Sequence, residues 1–552
     1  MITAGYIICG IFLFLMTALS LFGWGTLLGK ICKIKFSDEN RREEKILMGF
    51  FILFLTASTW NLFLPLGKLF AILFLLTGCF LTLIYRKEAK WNKHDLWLII
   101  PLFLFSFFAL GKTTVYDAML YYYDTIQWIN EYAVIPGLAN IHGRLGFNQF
   151  YFYFPALLEA IFPNYGINLA NPFLGFLAIS FFISLSKNAS ARWLSALMTG
   201  YIASYSLRGE LSSASPDTAA TFFMLIMLTS FTLQLKEKRD DKFPFFLFLA
   251  IICVLTKLSL AVTAGGIVCI LFLLEKEKRK SLLCCLPFAS ILTGLWILRS
   301  IYLTGYFVYP LIWPSIAVPW RLSGETVSNE VLSITGWARM PGENYLNAAT
   351  QGMSYWIKNY FMEKGHLFLT YFRCFTAAVA LWLYFAEKRR ENFIRLLLLY
   401  LPLTAGIIFW WFTAPDPRFA YAILIFFILY PVASAFEKFN CSNKALLIIS
   451  MTIFLIFFPT LAAPEFLRQL FSTGYSPRPE RKYDTKISDH GVVLNITWDM
   501  KNEELNKKNL GKNSSSKVPL PSSPYYNANL KLLGNNIQDG FTVQKGIKTT
   551  VK

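Results

Sequence analysis

The chain has 552 residues, of which 55% are hydrophobic, 17% aromatic and only 15% charged, with a formal net charge of +19. A soluble chain carries roughly a quarter of its residues charged, so an ordinary soluble domain is excluded, as is a membrane β-barrel with its roughly ten-residue alternating segments. The surplus of Lys and Arg is no nucleic-acid footprint, because it sits in short connections between apolar runs and forms no basic stripe with interleaved aromatics.

In chain order, apolar runs of about 17–22 residues recur almost end to end, each able to cross roughly 30 Å of hydrocarbon. The first, near 4–29, lacks the basic leader of a signal peptide and is followed by the basic stretch Lys30–Lys45, which predicts a first span with its N-terminus outside. Further spans fall near 46–67, 68–85, 96–111, 165–186, 192–208, 217–235, 244–256, 259–274, 281–303, 367–386, 394–412, 419–436 and 445–463. The fold class expected is an all-α membrane protein of about fourteen transmembrane helices. Its basic connections (Lys30–Lys45, Arg86–Lys93, Lys187–Arg192, Lys236–Lys242, Lys276–Lys280, Lys388–Arg390 and Lys438–Lys444) then all face the cytoplasm, and both termini lie outside. Three parts follow: a three-span extension over 1–95, a core over 96–463 with outer loops 112–165 and 304–366, and an extracytoplasmic tail over 464–552 with a strand-like run at Val492–Trp498.

The first outer loop carries most of the chemistry. Read as a helix, Val115–Ala133 is two-faced, with Met119, Tyr122, Ile126, Ile129 and Ala133 on an apolar stripe and Asp117, Tyr121, Asp124, Trp128 and Glu131 opposite. That pattern predicts an interfacial helix whose acidic face looks into an aqueous groove. Asp117 and Asp124 would lie about 10 Å apart along its axis, too far to share one metal ion. Each is either a general base or part of a solvated acidic face. The turn-rich Pro136–Arg144 ends in a cation: Arg144 could grip a phosphate bidentately with help from His142, or the two could simply stabilise the loop.

Other candidates lie at the outer ends of spans. Asp217, entering a span after Pro216, reads as an N-cap or as a second acid meeting Asp117 across a cavity, with a divalent cation as an optional cofactor. The spans near 244–256 and 259–274 are short and separated only by Lys257 and Leu258, so they could stop below the membrane surface and leave a cavity. Lys257 would line it or snorkel to the headgroups. Lys257, Arg299 and Arg418, with Arg208 nearby, describe a site for an anionic lipid headgroup such as a polyprenol phosphate or pyrophosphate, while Asp416 could pair with Arg418 at the surface. The nine cysteines include no CxxC pair and the four histidines are scattered, so neither a disulfide framework nor a zinc site is expected. No phosphate-binding P-loop, serine-hydrolase elbow or zinc-protease helix occurs.

An acidic residue in the first large outer loop, an amphipathic helix after it, the short-loop Pro216-Asp217 and the Pro417-Arg418-Phe419 triplet together resemble the GT-C superfamily of membrane glycosyltransferases. More narrowly, Val115–Asn148, Ser212–Asp217, Leu255–Ser259, Gly305–Pro310, Ala414–Ala420 and Pro519–Phe541 look like an uncharacterised bacterial family of GT-C-like proteins, over roughly 96–420 plus the tail block. Two departures stand out: Tyr122 replaces a histidine of that pattern, and Ser522 and Ser523 stand where cysteines are expected. The resemblance implies a polyprenyl-phosphate-linked sugar donor used on the non-cytoplasmic face and a lipid or glycan acceptor. Asp117 would act as base, and Lys257, Arg144 and Arg418 would hold the departing phosphate. Two other readings stay open. One is an O-antigen polymerase-like or ligase-like enzyme that relies on arginines such as Arg144 and Arg339. The other is a flippase or transporter, disfavoured because the polar groups crowd the outer ends rather than the midplane.

Overall fold

The structure is a computed structural model. It describes residues 2–37, 41–89, 96, 98–111, 113, 115–188, 191–205, 210–237, 242–274, 278–342, 344–386, 393–437, 478–497 and 513–544. Among these the architecture is helical, with a small β region in the tail. Helices α1 (Ile2–Ile31), α2 (Arg41–Asn61) and α3 (Gly67–Ile84) pack together. Gly25 and Gly49 let α1 and α2 approach closely, since a Cβ on either would strike the partner backbone. The sequence boundary near residue 95 is not a break in packing, because α2 also touches α6 (Tyr153–Ile161), α7 (Gly166–Leu185), α10 (Phe243–Thr256) and α12 (Lys278–Thr304). Phe50 of α2 marks the shared core, with its ring 5.0 Å from Phe154 and 5.3 Å from Phe223.

Among the described residues, six helices are long and apolar enough to cross a membrane: Gly5–Ile31, Gly67–Ile84, Gly166–Leu185, Pro216–Glu237, Leu283–Thr304 and Phe393–Thr413. They mark the chain as a membrane protein and coincide with spans expected near 4–29, 68–85, 165–186, 217–235, 281–303 and 394–412. The remaining apolar helices are shorter or more polar. Among them, α4 (Ile99–Phe108) and α11 (Ala261–Leu274) are short, and α8 (Arg192–Tyr205) follows α7; the long helix Pro216–Glu237 is α9. After α13 (Gly324–Arg339) and α14 (Tyr345–Thr350), α15 runs unbroken over Met353–Ala386, so the span expected near 367–386 is the C-terminal part of a longer helix. Helix α16 is Phe393–Thr413 and α17 is Tyr421–Phe436, while the span expected near 445–463 lies outside the described residues.

Helix α9 sets the scale. It runs from Asp217, in its first turn, to Lys236, which pairs with Glu437. At 1.5 Å per residue the two ends are roughly one hydrocarbon thickness apart. At the Lys236 end basic side chains are met by acids: buried Glu44 accepts from Ser37 and, at 3.0 Å, from Lys242, and buried Lys45 meets the half-buried Glu88 at 3.0 Å. Asp217 belongs to the other end, together with the loops that follow α5 and α12 and the tail.

The tail forms a four-stranded sheet of β1 (Arg481–Ile487), β2 (Val493–Thr497), β3 (Asn513–Ser515) and β4 (Ser522–Ser523) in the order β3-β1-β2-β4. Strands β1 and β2 are antiparallel with Tyr483 opposite Thr497, and β4 runs parallel to β2. A second pair, β5 (Leu530–Leu532) and β6 (Phe541–Val543), lies against the loop around Pro136, where the Phe541 amide donates to the Pro136 carbonyl at 2.9 Å.

Candidate functional site

The segment after Val115 is helical, but not as one regular α-helix. A π turn spans Ala118–Tyr122, and α5 (Tyr123–Glu131) continues from it. The wider π turn shifts the register between Asp117 and Asp124, so two carboxylates that would share a face in a plain α-helix face different surroundings. This corrects the expectation of one acidic face above a groove. Asp117 lines a cavity, whereas Asp124 is covered by the tail, with Arg481 Nη2 2.7 Å from its Oδ1. Gln127 and Glu131 of the same helix also meet the tail, through the Val518 carbonyl and Lys517. Asp124 is therefore no ligand of the cavity.

The cavity holds about 290 Å³ and sits where the π turn, the loop after α5, the start of α9, the α10–α11 connection and the α16–α17 loop converge. Its charged side chains form one chain of ion pairs. Arg418 is central: its Nη1 lies 3.0 Å from Asp117 Oδ2, its Nε 3.9 Å from Asp217 Oδ2, and the same Nε 3.7 Å from Asp416 Oδ2. Asp217 also pairs with Lys257, whose ammonium lies 3.7 Å from the centre of the Phe419 ring. On the other side, Arg144 Nη1 is 3.4 Å from Asp117 Oδ1 and its Nε is 3.4 Å from Glu330 of α13. Four carboxylates, those of Asp117, Asp217, Asp416 and Glu330, thus share three cations.

Local structure explains this convergence. Helix α10 ends at Thr256, and Lys257 is extended before α11 begins, so a lysine projects from the break between two 14-residue helices. Each is about 21 Å long, short of a bilayer core, which leaves the site sunk within the bundle. Asp416 accepts from the Arg418 amide at 3.1 Å and thereby fixes the Pro417–Phe419 turn. Asp217 is not an N-cap in function, because its carboxylate is spent on Lys257 and Arg418.

The uncharged wall is largely aromatic and apolar, with Tyr121, Tyr122, Phe147, Trp296, Trp337 and Tyr309 among its members. Tyr121 lies beneath Arg144, 6.0 Å from ring centre to guanidinium carbon. Burial, reinforced by the Asp117 charge, raises its phenol pKa, so the group stays protonated and can donate. Burial also raises the Glu330 carboxyl, with Arg144 opposing. Beside the cavity, and sharing α16 with it, lies an apolar pocket of about 240 Å³ between Phe372, Phe375, Ile407, Trp411, Leu424 and Phe427.

Two other expected ligands stand back from the wall. His142 packs against Tyr525 of the tail, 5.6 Å between ring centres, and burial, helped by nearby Arg144, pulls its pKa down to about 3. A neutral imidazole outside the cavity wall cannot assist anion binding, which corrects that expectation. Arg299 donates to Asn148 Oδ1 at 2.7 Å and lies over Tyr153, so it supports a wall residue rather than facing the cavity. Arg339 is engaged by the carbonyls of Ala348 and Ala349, and Arg208 lies outside the described residues.

A divalent cation does not fit these residues. The guanidinium of Arg418 stands between Asp117 and Asp217, and among the described residues no three of His, Cys, Asp and Glu converge as metal ligands. Glu330 and Asn148 are the site residues that sequence reasoning missed. Glu330 sits on α13 and Asn148 just after the Gly143–Gly146 turn, and nothing in local sequence pairs them with Arg144 or Arg299.

A family model described as a domain of unknown function, DUF8201, matches residues 7–425, and the chain belongs to that family. The match contains every charged residue of the cavity and stops before the tail. No curated protein and no solved structure matches the chain.

Proposed function

We propose that the protein is a membrane glycosyltransferase that uses a polyprenyl-phosphate-linked sugar donor on the extracytoplasmic face, building or modifying a surface glycan on a lipid or glycan acceptor. The observation that carries this reading is the charged cavity itself: Asp117, Arg144, Asp217, Lys257 and Arg418 meet at one end of the helices, within aromatic walls and beside an apolar pocket. Such a site suits a ligand with a phosphate head, a sugar and a hydrocarbon tail. The positive-inside rule supports a cytoplasmic position for the opposite, Lys-rich end, which would set the cavity outside. About fourteen spans, a GT-C-like core and extracytoplasmic termini belong to the same proposal.

In the ion-paired state each oxygen of Asp117 faces a guanidinium. A donor phosphate competes for Arg144 and Arg418, and the carboxylate it displaces is then available. Asp117 takes the proton of the acceptor hydroxyl, whose oxygen bonds to the anomeric carbon. The anomeric carbon–oxygen bond to phosphate breaks, and its electron pair leaves on the phosphate oxygen, held by the freed guanidinium and Lys257. The Tyr121 phenol is placed to donate to the sugar or phosphate.

The doubly paired state of Asp117 also favours a second reading, in which the arginines do the catalytic work, as in O-antigen polymerase-like or ligase-like enzymes. One experiment separates the two: purified protein in liposomes, a radiolabelled polyprenyl-phosphate sugar, and the variants Asp117→Asn, Arg144→Met and Arg418→Met. The base reading expects Asp117→Asn to bind donor without transferring it. Normal turnover by that variant, with loss in the arginine variants, selects the second reading. Uptake of labelled donor without transfer would make the protein a flippase or transporter.

A further inference from the structure

The loop after α12 is built as a hairpin with an ordered stem and an apolar tip. Tyr306 bridges Ser315 in antiparallel fashion, the Phe307 amide donates to the Pro314 carbonyl at 3.1 Å, and the Ile316 amide donates to the Gly305 carbonyl at 2.9 Å. Gly305 makes the turn out of α12 with φ of +83°, where a Cβ would also strike Arg321. The stem is fixed to the protein: Tyr306 and Tyr309 are buried with Ala139, Leu322 and Val327, and the Tyr306 hydroxyl donates to the Leu322 carbonyl at 3.0 Å. The tip is the reverse. Leu311, Ile312 and Trp313 are all exposed, Trp313 by 81%.

Residues 305–320 contain no Asp, Glu, Lys, Arg or His. A soluble loop would not gather Leu, Ile and Trp at the tip of a hairpin that carries no charge of its own. The hairpin also begins where the span Leu283–Thr304 ends, directly beyond the exposed apolar face of α12 that carries Leu286, Ile291 and Leu298. That places it at the depth where Trp and Tyr collect in membrane proteins. We propose that Leu311-Ile312-Trp313 is a membrane anchor, seated in the headgroup–acyl boundary of the leaflet on the cavity side. Tyr309 and Pro310, two residues from the tip, line the cavity, so the anchor holds that wall at lipid depth and opens the mouth to ligands arriving sideways from the bilayer. The inference goes beyond the transferase reading and stands without it, because it concerns depth and not turnover.

The test uses the full chain in lipid nanodiscs, with a nitroxide on Ile312→Cys and separately on Trp313→Cys. The labelled parent protein supplies the background from native cysteines. Collision with oxygen is compared with collision with a water-soluble nickel chelate, using Leu286→Cys on α12 and Lys531→Cys in the tail as lipid and water references. Both tip labels are expected to favour oxygen several-fold over nickel, close to Leu286→Cys. Nickel accessibility equal to that of Lys531→Cys overturns the proposal. So does shielding from both reagents in a particle that contains two copies, which would make the occupant a second chain.

Discussion

Asp117 and Asp124 stand seven positions apart on one helical segment, and each is met by an arginine from a distant part of the chain, yet the two pairs differ in kind. Arg481 and Asp124 are 3% and 1% exposed, and the tail shuts them away from water. Asp117 is itself only 9% exposed, but Arg418, which holds it, is 37% exposed because it faces the cavity, and it is shared with Asp217 and Asp416. A closed pair whose cation meets one carboxylate has nowhere to go and fixes the tail against α5. An open pair with several partners can be exchanged for the charge of a ligand. The comparison teaches that accessibility and partner number, rather than the Arg–Asp chemistry, separate a site from a fastening.

The sharpest way to break the comparison is to neutralise each acid in turn. Asp117→Asn should cut transfer by about 10²–10⁴-fold with the protein still inserted and monodisperse, whereas Asp124→Asn should leave turnover per folded molecule near that of the parent. Equal activity losses in the two variants would dissolve the distinction. Next in size is the fastening itself. Arg481→Met leaves Asp124 buried without its cation and should destabilise the tail by about 3–5 kcal/mol, seen as early proteolysis of the tail and a lowered denaturant midpoint. Arg481→Met combined with Asp124→Leu should recover most of that loss.

A smaller effect depends on pH. The folded pKa of His142, about 3, lies below the ordinary 6.5, so the unfolded chain binds the extra proton. The resulting stability is complete above about pH 6.5 and declines as pH falls toward 3, by at most about 1.4 kcal/mol per unit. His142→Phe should flatten that decline in denaturant titrations between pH 7 and pH 4.5, and an unchanged slope would show that the ring titrates as it does in water. The smallest effect belongs to the exposed edge of the tail contact. Lys517 is 57% exposed where it meets Glu131, and Lys517→Met should change stability by no more than about 1 kcal/mol.

Much of the helical layout was legible because hydropathy acts locally: a run of apolar residues must leave water wherever the rest of the chain lies. The break at Lys257 and the gathering of polar groups at span ends could be read for the same reason. The faces of Val115–Ala133 were misjudged because a π turn changes the register without any residue announcing it, and because Arg481, 357 positions beyond Asp124, cannot be paired with it by spacing. His142 looked like a ligand for a related reason, since its neutral state comes from burial beneath the tail.

Sequence by itself determined that this is a helical membrane protein, since composition and hydropathy need no partner to take effect. Only the tertiary structure decided which acid meets which cation, that Arg418 fills the gap between Asp117 and Asp217, and that the tail closes over Asp124. Those outcomes depend on Coulomb and hydrogen-bond contacts a few ångströms long between residues hundreds of positions apart, and such distances exist only once the chain has folded.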